Sequence, residues 1–426
     1  MLTIPELIAL DSLSGSIRIP PEFGVPLTGR VRRVIDTKPF RRLAKITQVG
    51  LVSLVYPAAR HTRFEHSLGV YRLALLLLKR LSHVPHFAHN VTRHDAERLI
   101  ITALLHDVGH YPFCHLIEDI RLEGLPHHEE LAAEFAEQSE LAELLRKDWN
   151  IEPHEVVDLV NGKTNSPVDQ LFASILSGPI DIDKMDYLFR DSLHAGVPYG
   201  RQLDQERLIG SLCLNASGDG LAITEKGKTA AELMIFARYV MFSEVYWHHA
   251  VRSATAMLQR LFCELYLAGS IDFSQYVQFS EDEAIQFFLD ASKGTSSEHI
   301  AQGLFGARRS IYKRVAQFSI LEQPEMYRQL AGKPYRQLCE MADRCCVEAN
   351  APLLSILIDA PPVEKEVEIK IDVYFPKLDR YVALEDISPV VRAMAKEQFD
   401  DYAKRVRIFA HPGVAVAMRG QWHAFL

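Results

Sequence analysis

The chain has 426 residues, 48% of them hydrophobic and 24% charged. That is an ordinary balance for a globular protein able to bury a large core as one big domain or two to three smaller ones. A formal net charge of −8 argues against a general nucleic-acid coat, so no duplex nucleic acid is expected as a partner, while a local pocket of Arg and Lys still allows a single nucleotide. The cysteines (Cys114, Cys213, Cys263, Cys339, Cys345, Cys346) show no CxxC pair and no disulfide-framework density. A reducing, cytoplasmic setting is therefore expected, with Cys345 and Cys346 as two reduced thiols in a helix. The N-terminus MLTIPELIALDSLSG lacks a basic n-region and a long apolar core, and the greasy run Leu73 to Leu78 is too short for a bilayer, so no membrane association is expected.

In chain order, the opening segment with Pro5, Pro20, Pro21 and Pro26 reads as an irregular arm or short hairpin. From Asp36, DTKPFRRLAKITQVG has helical spacing up to Gly50, and LVSLVYP reads as a short extended piece. A helix from near Arg63 carries Phe64, Leu68, Tyr71, Leu75 and Leu78 along one face. His83, His86, His89 and His94 fall in a polar connection and read as solvated rather than metal-binding. The run Leu99 to Leu105 is a buried helix, opened by Thr92 with Asp95 and closed near Gly109. HHEELAAEFAEQSELAELLRKDW is amphipathic, EPHEVVDLVNG and PVDQLFASILSG are short helices, and DIDKMDYLFRDS puts Asp183, Tyr187 and Asp191 on one helical face. NASGDG, between two strand-like runs, suggests a β-hairpin. Thr229 and Glu232 have capping-box spacing for a long helix to about Gly269, with Arg238, Phe242 and Tyr246 four apart. The helical pattern continues from Glu281 to Asn350 past the basic cluster Arg308, Arg309, Lys313 and Arg314. Beyond Pro361-Pro362, EVEIKIDVYF alternates Val367, Ile369, Ile371 and Val373 with charged residues, as a half-buried strand does. Ser388-Pro389 opens a helix and RVRIFAH returns as a strand.

The chemistry concentrates in LLHDVGHYPFCH, where His106, Asp107, His110 and His115 gather at the mouth of an apolar helix. Groups of this kind are costly to bury unpaired, and neighbouring His and Asp suit a divalent transition metal. HTRFEHSLG adds His66 upstream and GPIDIDKMDYLFRDS adds Asp183 downstream, each at a helix edge. The series H…HD…D thus offers two imidazoles and two carboxylates to one ion.

RFEHSLGV, HDVGHYPFCH and DIDKMDYLFRD together resemble the HD phosphohydrolase superfamily, and within it the deoxynucleotide triphosphohydrolases, which include bacterial dGTP triphosphohydrolases and the animal SAM- and HD-domain enzyme. The similarity runs from about Asp36 to about His249 and more faintly to about Lys313. It implies a mostly α fold: an HD-domain helical bundle with a β-hairpin insertion and a small α+β C-terminal portion. The expected division is an arm (1–35), a catalytic domain (36–200), a helical extension completing the site (201–350, with the hairpin near 208–226) and a C-terminal appendage (360–426). It also implies one divalent transition metal (Mn, Fe, Ni, Co or Zn) on His66, His106, Asp107 and Asp183, with Mg²⁺ accompanying the nucleotide. By the same resemblance His115 is the general acid, Glu118 its carboxylate partner, and His110 and His128 orient water and phosphate. Arg63, Lys184 and Arg238 match phosphate contacts; Gln48, Asp191 and Tyr246 match sugar contacts, with Tyr187 stacked nearby. Trp247 and Phe242 depart from the animal enzyme, which bears on base and sugar preference. Asp36, Arg309 and Lys313 match positions of a regulatory nucleotide site, but Arg41 and Ala44 do not reproduce its polar contacts. A homo-oligomer is expected by resemblance. The implied reaction is hydrolysis of a deoxynucleoside triphosphate at the α-phosphorus, releasing deoxynucleoside and triphosphate; the alternatives are another HD-type nucleotidase or phosphodiesterase, or a nucleotide sensor without catalysis.

Overall fold

The computed structural model describes residues 3–12, 15–21, 23–137, 139–361, 370–394 and 403–419. Three helices frame the site: Arg63–Leu81 packs against both Arg93–Leu105 and Ile182–Ala195. Arg63–Leu81 is buried round most of its circumference rather than along one face. Val70, Leu73, Ala74 and Leu77 are as inaccessible as Leu68, Tyr71, Leu75 and Leu78, while Phe64 is half-buried. Each fully buried side chain of this size contributes roughly 1.5–3 kcal/mol of transfer free energy, which anchors a helix whose first turns carry polar groups. Arg93–Leu105 opens on the expected capping box, the Thr92 hydroxyl accepting the Asp95 N–H and the Asp95 carboxylate accepting the Thr92 N–H at 2.9 Å. It ends at Leu105, ahead of Gly109. Gly109 serves a close approach instead: a Cβ there would lie 2.0 Å from the His128 carbonyl oxygen, so glycine lets the helix His128–Glu137 reach the motif.

Pro153–Val160, Pro167–Ser177 and Ile182–Ala195 form as expected, and Leu212–Leu214 pairs antiparallel with Leu221–Thr224 around NASGDG. Of the amphipathic stretch HHEEL…KDW, His128–Glu137 and Ser139–Leu144 are helical, Leu145–Trp149 forms a π-helical turn, and Gln138 lies outside the described residues. LVSLVYP is not extended. Gly50 at φ +51 turns the chain into a 3₁₀ segment, Gly50–Leu54, that buries the adjacent Leu51 and Val52 together. The Thr229–Glu232 box does not form either: the helix starts at Lys228 with Gly227 at the N-cap, so Thr229 lies inside it, and the Lys228 ammonium bonds the Ile387 carbonyl at 2.8 Å. The long helix expected to about Gly269 is three pieces, α-helical Lys228–Val240, π-helical Met241–Tyr246 and α-helical His249–Leu267. From Glu281 the helices Glu281–Ala291 and Glu298–Phe305 give way to a strand, Lys313–Phe318. Arg309 therefore sits in a loop and Lys313 opens a strand, so the pair shares no helix.

That strand forms because its partner comes from far along the chain. Val406–Ala410 is the centre of a three-stranded antiparallel sheet between Lys313–Phe318 and Ile356–Asp359, and all five of its residues are buried. Asp372–Phe375 adds in parallel to the Leu221–Thr224 hairpin strand and pairs antiparallel with Arg380–Ala383, making a four-stranded sheet. Val367 and Ile369 lie outside the described residues. The C-terminal strands are thus shared between two sheets built with the body of the protein, and not kept together as an appendage. Ser388 caps Pro389–Ala393 as expected.

The N-terminal segment contains the short hairpin expected of it. Helix Pro5–Leu10 and the hairpin Ser16–Ile19/Phe23–Pro26 pack on Arg63–Leu81. Arg30 bridges Glu6 and Glu97, with Nη2 2.9 Å from Glu97, and lies 3.8 Å over the Trp149 ring. Glu6 is fully buried, so removing Arg30 leaves a charge with no cation beside it. Arg30→Ala should lower the unfolding free energy by about 3–5 kcal/mol in urea titration, and Glu6→Leu with Arg30→Met should recover most of it. A loss below about 1 kcal/mol would mean that the pair is worth no more than an exposed one.

Candidate metal centre

Four donors converge, His66 and Asp183 from two helices and His106 and Asp107 from the end of a third. His66 Nε2 lies 3.0 Å from Asp183 Oδ1 and 3.9 Å from Asp107 Oδ2, and His106 Nε2 lies 3.4 Å from Asp107 Oδ1 and 4.0 Å from Asp183 Oδ1. The two imidazoles are turned by their other nitrogens: His66 Nδ1 is 2.8 Å from Asp186 Oδ2, and His106 Nδ1 is 3.0 Å from the Ala103 carbonyl. Each Nδ1 has an acceptor beside it, and the two Nε2 atoms lie 3.2 Å apart. Burial alone would lower the His66 imidazole, but bonds to Asp183 and Asp186 and the charge of Asp107 lift it to about 10. A position so short of positive charge, lined by two imidazoles and two carboxylates, fits a divalent transition metal. The residues that would hold it are His66, His106, Asp107 and Asp183.

Asp186, which the sequence reading passed over, is what fixes His66. Arg190 grips its carboxylate through Nε and Nη2, both at 2.7 Å, and also reaches Glu65 at 2.6 Å. Burial disfavours the Asp186 charge, yet Arg190 and His66 hold it at about 2. Glu65 in turn bonds His194 at 2.9 Å, whose ring stacks on His61 at 4.4 Å. The i,i+4 pairing of Asp186 with Arg190 was the available signal. It lies one stripe away from the Asp183–Tyr187–Asp191 face.

Beside the metal centre sits a histidine cluster. Phe113 adopts a left-handed φ of +58 and turns the chain so that the short helix Cys114–Glu118 faces back on His110. His110 Nε2 and His115 Nε2 are 3.3 Å apart, and the His110 and His128 rings are 3.9 Å apart. Glu118 was expected to serve His115; it is 3.5 Å from His115 Nδ1 but 3.0 Å from His128 Nδ1, and it also accepts the His128 backbone N–H at 2.6 Å. Capping the His128 helix draws the carboxylate to that side. Burial would raise Glu118, yet bonds to His115 and His128 hold it well below the usual carboxylate range. His110, buried and facing Arg63, is driven well below the ordinary imidazole value.

A cavity of about 1180 Å³ opens over both clusters. Gln48, Arg63, Tyr187, Asp191, Arg238 and Tyr246 all line it, as do Phe242 and Trp247. The Gln48 Oε1 atom is buried with no hydrogen-bond partner. Asp191 receives the Tyr246 hydroxyl on one oxygen, at 2.5 Å, and faces His61 Nε2 at 2.8 Å on the other. Arg63 pairs with Asp107 Oδ2 at 2.9 Å, so its nearest partner is a metal-centre carboxylate. Lys184 does not line the cavity: its ammonium is held by Asp181, the buried N-cap of its own helix, three residues back. Met241–Tyr246 widens its helix at this wall, a π segment of the kind often found at functional sites. The histidines His83, His86, His89 and His94 join no metal-ligating group among the described residues. The six cysteines are free thiols, and no described helix is long and apolar enough to cross a membrane.

Two measurements check this geometry. Asp186→Asn should weaken divalent-metal affinity about 10–100-fold in competition with a chelator, because His66 loses the group that fixes its tautomer. The Glu118 carboxylate sits lower in the folded chain than in the unfolded one. Its stabilisation is present above the ordinary Glu range and is lost as pH falls through the folded value, so Glu118→Gln should flatten the acid limb of stability against pH below about pH 4.3.

The HD domain family model matches residues 63–206, and the HD associated region model matches residues 203–422. An uncharacterised protein of Methanocaldococcus jannaschii is 30% identical, over 85% of this chain and 72% of its own length. A deoxynucleoside triphosphate triphosphohydrolase of Gallus gallus is 28% identical, over 62% of this chain and 49% of its own length, so the chain spans about half of that relative. The crystal structure of a hypothetical protein from Aquifex aeolicus superposes with a TM-score of 0.74 at 26% identity, covering 96% of this chain and 99% of the other. With both halves matched and the H…HD…D donors gathered at one point, the chain belongs to the HD-domain phosphohydrolase superfamily.

Proposed function

We propose that this metal-dependent phosphohydrolase cleaves deoxynucleoside triphosphates at the α-phosphorus, releasing deoxynucleoside and inorganic triphosphate. The observation that carries the reading is the shared cavity: metal donors, a proton-handling histidine cluster and the Gln48–Asp191–Tyr246 wall line one space. A relative that is 28% identical bears the name of that activity. A divalent ion on His66, His106, Asp107 and Asp183 supplies a lowered water pKa and charge neutralisation at phosphorus. His115 is the most exposed of the three histidines, suited to protonating the departing oxygen. His128, fixed by Glu118, and His110, beside Asp107, orient water and phosphate. Arg238 and Arg63 meet the triphosphate; Lys184, tied to Asp181, acts at most through that helix cap. The orphan Gln48 Oε1 accepts a sugar hydroxyl, and Asp191, held by Tyr246 and His61, reads the 3′ side. Phe242 and Trp247, stacked at 5.6 Å, set base selectivity. Mg²⁺ accompanies the triphosphate. Homo-oligomerisation and activation by a nucleotide rest on resemblance alone, and the loop position of Arg309 does not add to the latter.

A second reading, hydrolysis of a longer phosphoester, is favoured by one feature. The cavity continues past the metal centre to Lys333, Tyr335 and Arg336, more room than a mononucleotide fills. Chromatography of products from each of the four dNTPs and GTP, with Mn²⁺ and Mg²⁺, separates the two. Deoxynucleoside with intact triphosphate is expected, abolished in Asp107→Ala and reduced about 10²–10⁴-fold in kcat by His115→Ala. Orthophosphate or nucleoside monophosphate as the product would sink the triphosphohydrolase reading.

A further inference from the structure

Gln48, His61 and Arg63 all come from one short antiparallel ladder. Thr47 pairs with Thr62, the Gln48 N–H donates to the His61 carbonyl at 2.9 Å, and the Arg63 N–H donates to the Ile46 carbonyl at 3.0 Å. In this pattern Thr47 and Thr62 face each other with no bond between them, so the Thr47 N–H points outward from the ladder. A half-buried donor at that edge needs an acceptor from elsewhere. Glu281 supplies it. Its Oε2 accepts the Thr47 N–H at 3.0 Å and the Thr47 hydroxyl at 2.5 Å.

Glu281 is the first residue of Glu281–Ala291, a helix whose cap is complete without it. Ser280 Oγ accepts the Glu283 N–H at 3.3 Å, and the Glu283 carboxylate accepts the Ser280 N–H at 2.7 Å. The Glu281 side chain is instead engaged with a residue 234 positions back along the chain. The same helix buries Ala284 and Phe288 in the hydrophobic cluster around His249–Leu267, so the carboxylate is presented from a fixed support. Thr47 and Gln48 line the cavity and Glu281 does not. Gln48 is also the residue whose buried Oε1 has no hydrogen-bond partner. We propose that Glu281 is a positioning residue: acting through Thr47, it clamps the outer edge of the ladder so that Gln48 stays aimed at the 3′-hydroxyl of the sugar. The identity of that hydroxyl rests on the proposed function; the clamp on the ladder does not. A helix beyond the HD domain thereby contributes to sugar recognition without touching the ligand.

The test reads KM, kcat and backbone amide exchange in the full chain supplied with Mn²⁺ and Mg²⁺. For the dNTP hydrolysed fastest, Glu281→Ala should raise KM about 5–30-fold and change kcat less than about twofold, because a contact made equally in the ground and transition states is weakened. With the matching 2′,3′-dideoxy substrate, which offers Gln48 no hydroxyl, that rise should vanish. Gln48→Ala should add less than about twofold in the Glu281→Ala background, as two residues acting through one contact do. Glu281→Gln keeps an acceptor oxygen and should restore the original KM. Thr47→Val removes only the hydroxyl bond; it should give an intermediate KM, and it carries the test if Glu281→Ala does not fold. The Thr47 and Gln48 amides should exchange at least about tenfold faster in Glu281→Ala. Unchanged exchange at these amides, or a KM that rises equally for deoxy and dideoxy substrates, would overturn the proposal. Faster exchange in a chain that releases no triphosphate would uphold the clamp and remove the proposed function.

Discussion

The structure depends on one buried charge chain: His66 to Asp186, Asp186 to Arg190, Arg190 to Glu65. Arg190 and Asp186 are almost wholly removed from water, where an unpaired charge costs several kcal/mol. Neither helix can therefore shift along the other without breaking the chain. Gly69 shows how tight the fit is, because a Cβ there would lie 1.9 Å from Asp186 Oδ1 and 2.4 Å from Arg190 Nη2. The helix Arg63–Leu81 yields its own bulk at that point so that the ion pair can pass beneath it, and the donor nitrogen of His66 is aimed as a consequence.

From that fixed point the site grows by shared carboxylates. Asp107 faces His106, His66, Arg63 and His110 from one side chain; Glu118 faces His115 and His128 and caps a helix as well. Asp191 joins His61 to Tyr246. Each carboxylate ties together groups from separate elements, so the geometry is held by charge and directional bonds rather than by apolar packing alone. Stacking of His61 on His194 connects the Asp191–Tyr246 wall of the cavity to Glu65, and through it to Arg190 and Asp186 behind His66. A change on one wall should therefore be felt at the other.

The β structure closes the remaining side. The strand Ile356–Asp359 carries Asp359 to Arg252 at 2.5 Å, a buried pair between the C-terminal sheet and the helix His249–Leu267. Both residues line the far end of the cavity. The region after the HD domain is thus part of the wall of the site, which explains why its strands are woven into sheets with the body.

The sequence by itself determined the helices around the candidate metal centre, the caps at Thr92 and Ser388 and the NASGDG hairpin, because these depend on residues within a few turns of each other. Local periodicity and turn chemistry report such contacts directly. What only the tertiary structure decided were the features paid for by distant partners. Lys313–Phe318 becomes a strand because Val406–Ala410 pairs with it, and Glu118 turns to His128 because that helix start needs an acceptor. Asp186, Arg190 and His61 lay in plain view as ordinary charged and polar residues. Their roles come from burial against His66, Glu65 and Asp191, each more than a hundred positions away, and the i,i+4 spacing of Asp186 and Arg190 does not encode which imidazole the pair will find.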